Sequence, residues 1–87
     1  MANIKSAMKR AQVIAIRTKR NAAYKSMMKT AIRRYENALK TEELDVAREE
    51  LIKATRVIDK VESKGVIHKN TASRKKSRLA KALNRVS

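Results

Sequence analysis

Across 87 residues there is no proline and only one glycine, Gly65. Nothing but that glycine interrupts a chain rich in Ala, Lys, Arg, Leu, Met and Glu, the strong helix formers. No stretch alternates apolar and polar residues over the length of a strand. These features predict an all-α fold with three helices, at about residues 4–40, 45–63 and 68–85, in one domain spanning 1–87.

The second helix shows the clearest pattern. Leu44, Ala47, Leu51, Ala54, Ile58 and Val61 recur at alternating steps of three and four, a single apolar stripe. Glu42 and Glu43 precede it and suit the positive end of a helix dipole. Asp45 or Thr41 is placed to cap it. Glu49 stands four residues before Lys53 as a supporting pair. Gly65 lies where the stripe ends and is suited to a left-handed terminating turn, with Val66 folding back onto Val61. The third helix then returns as the second arm of an antiparallel hairpin. Its apolar side carries Ala72, Leu79, Leu83 and Val86, with Lys76 intruding. Asn70, Arg74, Arg78, Lys81 and Arg85 occupy the other side.

The first helix carries two stripes. From Tyr24 onward, Tyr24, Met28, Ala31, Ile32, Tyr35, Ala38 and Leu39 form a core face. Before Tyr24, Ile4, Ala7, Met8, Ala11, Ile14, Ala15 and Ala22 form another, turned from the first by roughly 120°. One protein surface cannot cover both on a straight helix. A helix of ~36 residues is also ~54 Å long, twice the reach of an 18-residue partner. Either the first half frays, or it lies against something outside the chain, or the helix breaks near Asn21.

Charge names the outside partner. The formal net charge is +15. Residues 1–35 hold ten Lys/Arg and no acid. Residues 36–62 hold five basic and eight acidic residues, and residues 63–87 hold eight basic and none acidic. Two unneutralised ends flank a nearly balanced middle, the footprint of a polyanion binder. In the first helix, Lys25, Ser26, Lys29, Thr30 and Arg33 lie opposite the core stripe, and Lys19 continues the row. Lys and Arg neutralise phosphates, and Ser and Thr donate to them. Lys5, Lys9 and Arg10 form a second basic group near the start. His68-Lys69-Asn70 opens the third helix, where free backbone amides suit either an anion or ordinary capping. Tyr24 and Tyr35 fall on the core stripe. With no Phe or Trp, a reader that stacks single-stranded bases is disfavoured against one that recognises folded RNA by phosphates, grooves and shape.

Other classes are excluded or weakened. There is no Cys, and His68 is the single imidazole. No Gly-rich phosphate loop or paired acids suggest catalysis, so no enzyme, cofactor, metal or small-molecule substrate is expected. The longest apolar run, Val13-Ile14-Ala15-Ile16, is far short of the roughly 20 residues of a membrane span. A general DNA binder and a membrane-active basic helix are the competing readings; the second lacks the aromatic residues such helices favour.

Three segments carry a family resemblance. The opening MANIKSAMKR is followed by Arg20-Asn21, Lys25-Ser26, Met28-Lys29-Thr30 and Arg33, and then by KGVIHKNTASRKKSRL from Lys64 to Leu79. Together they resemble the S20 family of bacterial small-subunit ribosomal proteins over nearly the whole chain. The resemblance implies a three-helix bundle whose long first helix projects between ribosomal RNA helices. It also implies direct, early binding to small-subunit (16S) ribosomal RNA, in the cytoplasm on the ribosome, with few or no protein neighbours. Carried over by position, the implied contacts are Lys5, Lys9, Arg10, Lys19, Arg20, Lys25, Ser26, Lys29, Thr30 and Arg33. In the third helix they are His68, Lys69, Asn70, Arg74, Lys75 and Arg78. Three departures stand out. Val13–Ile16 fills a stretch usually polar or basic in the family. Val61-Glu62 replaces the usual Ala pair, and the turn near Thr41 lacks the common glycine.

Overall fold

The computed structural model describes residues 2–86; Met1 and Ser87, the ends of the expected domain, lie outside the described residues. Helix α1 runs Ala2–Lys40, α2 Leu44–Ser63 and α3 Lys69–Val86. No strand occurs among the described residues. The expected boundaries are met within one or two residues, and α1 continues through Asn21 without a break.

Both turns reverse the chain by the same device. At the end of α2, Gly65 is left-handed at φ 75°. The Val66 amide donates to the Val61 carbonyl at 3.2 Å and the Gly65 amide to the Glu62 carbonyl at 2.9 Å. These are the paired bonds of a Schellman motif, as expected from the sequence. At the end of α1 the left-handed residue is Glu42, at φ 59°. The Glu43 amide donates to Ala38 and the Glu42 amide to Leu39, both at 3.2 Å. The glycine-free turn therefore has the same shape, made with a residue whose Cβ disfavours it.

The start of α2 corrects two expectations. Thr41 caps the wrong helix for that reading: its hydroxyl donates backward to Asn37 and Ala38 in α1. Asp45 sits inside the first turn of α2 and pairs with Arg48 at 3.3 Å. The N-cap is Glu43, which makes no side-chain cap bond. Two carboxylates before the helix and Asp45 within it still suit the dipole. Lys53 pairs with Glu50 at 3.5 Å rather than with Glu49.

The core is a single thin layer where the three helices meet. Met28, Tyr35 and Ala38 of α1, Ala47, Ala54, Ile58 and Val61 of α2, and Ala72, Leu79 and Leu83 of α3 are buried. Tyr24, Ala31, Ile32, Leu39, Leu44, Leu51, Val66 and Ile67 pack around them. Each predicted core stripe is thus used, except that Val86 at the end of α3 is exposed. Four of the ten core residues are alanines, which lets α2 approach its neighbours closely but supplies little apolar area.

Tyr35 ties the first helix to the third. Its hydroxyl donates to the Leu79 carbonyl. With α2 antiparallel to both neighbours, α1 and α3 run parallel, and this bond sets residue n of α1 level with n + 44 of α3. The far end agrees: Val86 shares a groove with Leu39, Lys40 and Glu42. A second link, Lys76 to Asp59 at 2.7 Å, crosses from α3 to α2. It also explains how a lysine is tolerated on the apolar side of α3.

Candidate RNA interface

Helix α1 has 39 residues and α2 has 20, lengths of about 58 Å and about 30 Å at 1.5 Å per residue. The bundle therefore ends near the middle of α1. Every residue from Ile4 to Arg20 is exposed, and Asn21 is the first that is partly covered. The molecule measures 64 Å along its long axis and 21 Å across, most of the excess being this arm. Lys5, Lys9, Arg10, Lys19 and Arg20 all stand on it, free of protein contact.

The proximal row lies where expected. Lys25, Ser26, Lys29, Thr30 and Arg33 are all exposed, on the side of α1 turned from its core face. The parallel register places a second row beside them. His68, Lys69 and Asn70 stand level with Tyr24, Lys25 and Ser26, and Arg74 stands level with Thr30. Lys75 and Arg78 line a groove with Ile32, Glu36 and Leu79. Glu36 lies two turns beyond Lys29 and one beyond Arg33 on the same side of α1. The structure thus brings Lys75 and Arg78 against α1 at one α1–α3 groove, while Lys29 and Arg33 stand on the exposed surface of α1. Lys5, Lys9 and Arg10 stand apart: Lys5 lies about 36 Å along the helix from Lys29.

His68 has a defined local role. Its Nδ1 accepts the Asn70 amide at 3.0 Å, so it caps α3 from the residue just before the helix. An accepting Nδ1 leaves the ring proton on Nε2, a donor facing solvent. Asn70 and Lys69 are exposed beside it, at a helix start with no acid in its first turn.

None of these cations is neutralised internally. The ion pairs among the described residues are Arg48–Asp45, Lys53–Glu50 and Lys76–Asp59. All lie within α2 or between α2 and α3, and none involves α1. Among the described residues, no polar side-chain atom is buried without a partner. The unpaired charge is therefore wholly on the surface, where a polyanion can reach it. Three further cations share these rows but fall outside the set drawn from the family resemblance. Arg17 is exposed two turns from Arg10; Lys81 and Arg85 continue the outer face of α3 past Arg78. Helical spacing was the signal for them.

Chemistry of other kinds finds little footing. Among the described residues there is no cluster of three His, Cys, Asp or Glu able to hold a metal. No helix is long and apolar enough to cross a membrane. Burial holds the Tyr35 hydroxyl above the ordinary tyrosine pKa, with the Leu83 amide partly offsetting it; the group is sealed in the core, away from any cleft.

Comparison with known proteins gives the same direction. The family model for ribosomal protein S20 matches residues 2–84. The small ribosomal subunit protein bS20 of Natranaerobius thermophilus is 56% identical over 86 residues, which is 99% of this chain and 98% of the relative. The bS20 of Pelotomaculum thermopropionicum is 57% identical with the same coverage. That of Geobacillus kaustophilus is 52% identical over 99% of this chain and 97% of its own length. On a match of this extent, the chain belongs to the ribosomal protein S20 family.

Proposed function

We propose that the exposed face of α1 and the start and outer face of α3 hold small-subunit ribosomal RNA, and that this fixes the RNA's folded arrangement during assembly. Family membership carries the coarser statement: the protein is a structural constituent of the bacterial small ribosomal subunit, binds its 16S ribosomal RNA in the cytoplasm, and is not an enzyme. The contact residues are Lys5, Lys9, Arg10, Lys19 and Arg20 on the arm, and Lys25, Ser26, Lys29, Thr30 and Arg33 beyond it. On α3 they are His68, Lys69, Asn70, Arg74, Lys75 and Arg78, joined by Arg17, Lys81 and Arg85.

One observation supports this set above others: α1 carries eleven Lys/Arg, none of them in an ion pair among the described residues. In the free protein these charges repel one another; on RNA each releases a counterion. The chain acts as one domain, because α2 contacts both other helices and shares one core with them. Few protein neighbours are needed. Outside the arm, the exposed large apolar residues are Met27 on α1, Val46 and Ile52 on α2, and Val86 at the end of α3.

The test is a competition. Full-length protein bound to small-subunit ribosomal RNA is challenged with duplex DNA of equal nucleotide concentration. Retention on the ribosomal RNA supports the proposal. Equal partition, as for a general DNA binder, rejects it.

A further inference from the structure

We infer that Tyr35 is a positioning residue for RNA recognition: its hydroxyl, locked onto the main chain of α3, holds Lys75 and Arg78 beside α1, so that phosphates meet the two helices as one fixed template. This rests on the RNA-binding reading above and names the side chain on which its α1–α3 part depends.

Side-chain packing alone leaves the position of α3 weakly determined. Its buried residues are Ala72, Leu79 and Leu83, and Lys76 occupies the apolar side between the first two. The core they enter contains Ala38, Ala47 and Ala54. Alanine-rich surfaces are smooth, with shallow ridges to interlock, so a small slide or roll of α3 breaks few contacts. The Lys76–Asp59 pair joins α3 to α2 rather than to α1, and water screens a pair so exposed. Tyr35 supplies what packing does not. It is fully buried, its hydroxyl donates to the Leu79 carbonyl, and the Leu83 amide lies against the same oxygen. Both partners are main-chain atoms one turn apart, so the hydroxyl fixes α3 along and around its axis. Sliding α3 would strand a buried hydroxyl, which is costly.

The same turns carry the cations. Arg78 directly precedes Leu79, and Lys75 lies one turn before it. Ile32 lies three residues before Tyr35, and Glu36 follows it. These four line one groove with Leu79. Glu36, Lys75 and Arg78 form no ion pair among the described residues, so their spacing comes from the helices beneath them. Phosphate contacts set register and orientation only if the cations stand at fixed places. A loose α3 would have to be ordered at the moment of binding, which lowers affinity.

The experiment is a mutant cycle on the full chain. Affinity for small-subunit ribosomal RNA is measured across a salt series, at a temperature where circular dichroism shows every variant folded. Tyr35→Phe keeps the ring in the core and lets the Leu79 carbonyl and Leu83 amide bond to each other within α3. It should bind about threefold or more weakly. Its slope of log affinity against log salt should fall by about 1, close to the ~0.7–0.9 of one phosphate contact. Ile58→Val, a core change in α2 of similar expected cost to the fold, should bind as the parent does. Lys75→Ala/Arg78→Ala should bind more weakly with a flatter slope, and adding Tyr35→Phe to it should change nothing further. Parent-like affinity and slope in Tyr35→Phe overturn the inference. So does an equal loss in Ile58→Val, which assigns the effect to stability, or a Tyr35→Phe loss that persists without Lys75 and Arg78. Parent-like binding by Lys75→Ala/Arg78→Ala removes this part of the RNA surface itself, and the inference with it.

Discussion

The Tyr35 hydroxyl donates to the main-chain carbonyl of Leu79 from a fully buried position, and this one bond fixes how the first helix lies along the third. Both basic rows depend on it. Were α3 to slide by one turn, Lys75 and Arg78 would leave the groove they share with Ile32 and Glu36.

Tyr35→Phe should cost about 0.5–1.5 kcal/mol of stability, the usual net value of such a bond, read by urea unfolding. The same residue gives a pH signature. Burial raises its folded pKa, so its contribution is fully present below the unfolded value near ~10. It is lost as pH rises from there through the higher folded value. Above pH ~10 the parent should lose stability faster than Tyr35→Phe; parallel curves would show that the hydroxyl is not buried in the native state.

Glu42→Gly should stabilise the protein by about 0.5–1 kcal/mol, because glycine adopts the left-handed position of the α1–α2 turn without a Cβ penalty. Gly65→Ala should do the reverse by a similar amount, through backbone strain alone, since nothing lies within 4 Å of an added Cβ. Thermal melts of the two variants should move in opposite directions.

Ile58→Ala should destabilise by about 2–5 kcal/mol, as truncation of a fully buried residue in α2 does. In so thin a core that loss is a large share of the total. Adding ribosomal RNA should restore much of the lost melting temperature by mass action. Arg74→Ala, on the exposed face of α3, should leave the melt of the free protein unchanged.

The sequence made the architecture legible because its signals were isolated ones. A lone glycine marked the α2–α3 turn, and the Leu44–Val61 spacing left one face for α2. The change of stripe near Tyr24 placed the end of the bundle where Asn21 begins to be covered. What stayed hidden needed information that spacing does not carry. A left-handed Glu42 looks like any exposed glutamate. Thr41 is an equally good cap in either direction, and only the hydrogen bonds to Asn37 and Ala38 decide between them. Lys53 had Glu49 and Glu50 within reach, and the rotamer chose the second. Among the site residues, the rows within each helix followed from 3.6-residue periodicity. The meeting of Lys75 and Arg78 with α1 at the α1–α3 groove did not, because that requires the 44-residue register set by Tyr35. Arg17, Lys81 and Arg85 escaped because the family's own segments, rather than helical phase, selected the set.

The central claim is that unpaired cations of α1 and α3 grip ribosomal RNA phosphates. The slope of log affinity against log salt, compared between the parent and a Lys25→Ala/Lys29→Ala/Arg33→Ala variant, tests it most directly. Three lost phosphate contacts should reduce that slope by about 2–3, at ~0.7–0.9 for each, while Glu49→Ala leaves it unchanged. A triple variant that is weaker but equally salt-dependent, or no weaker at all, would contradict the account.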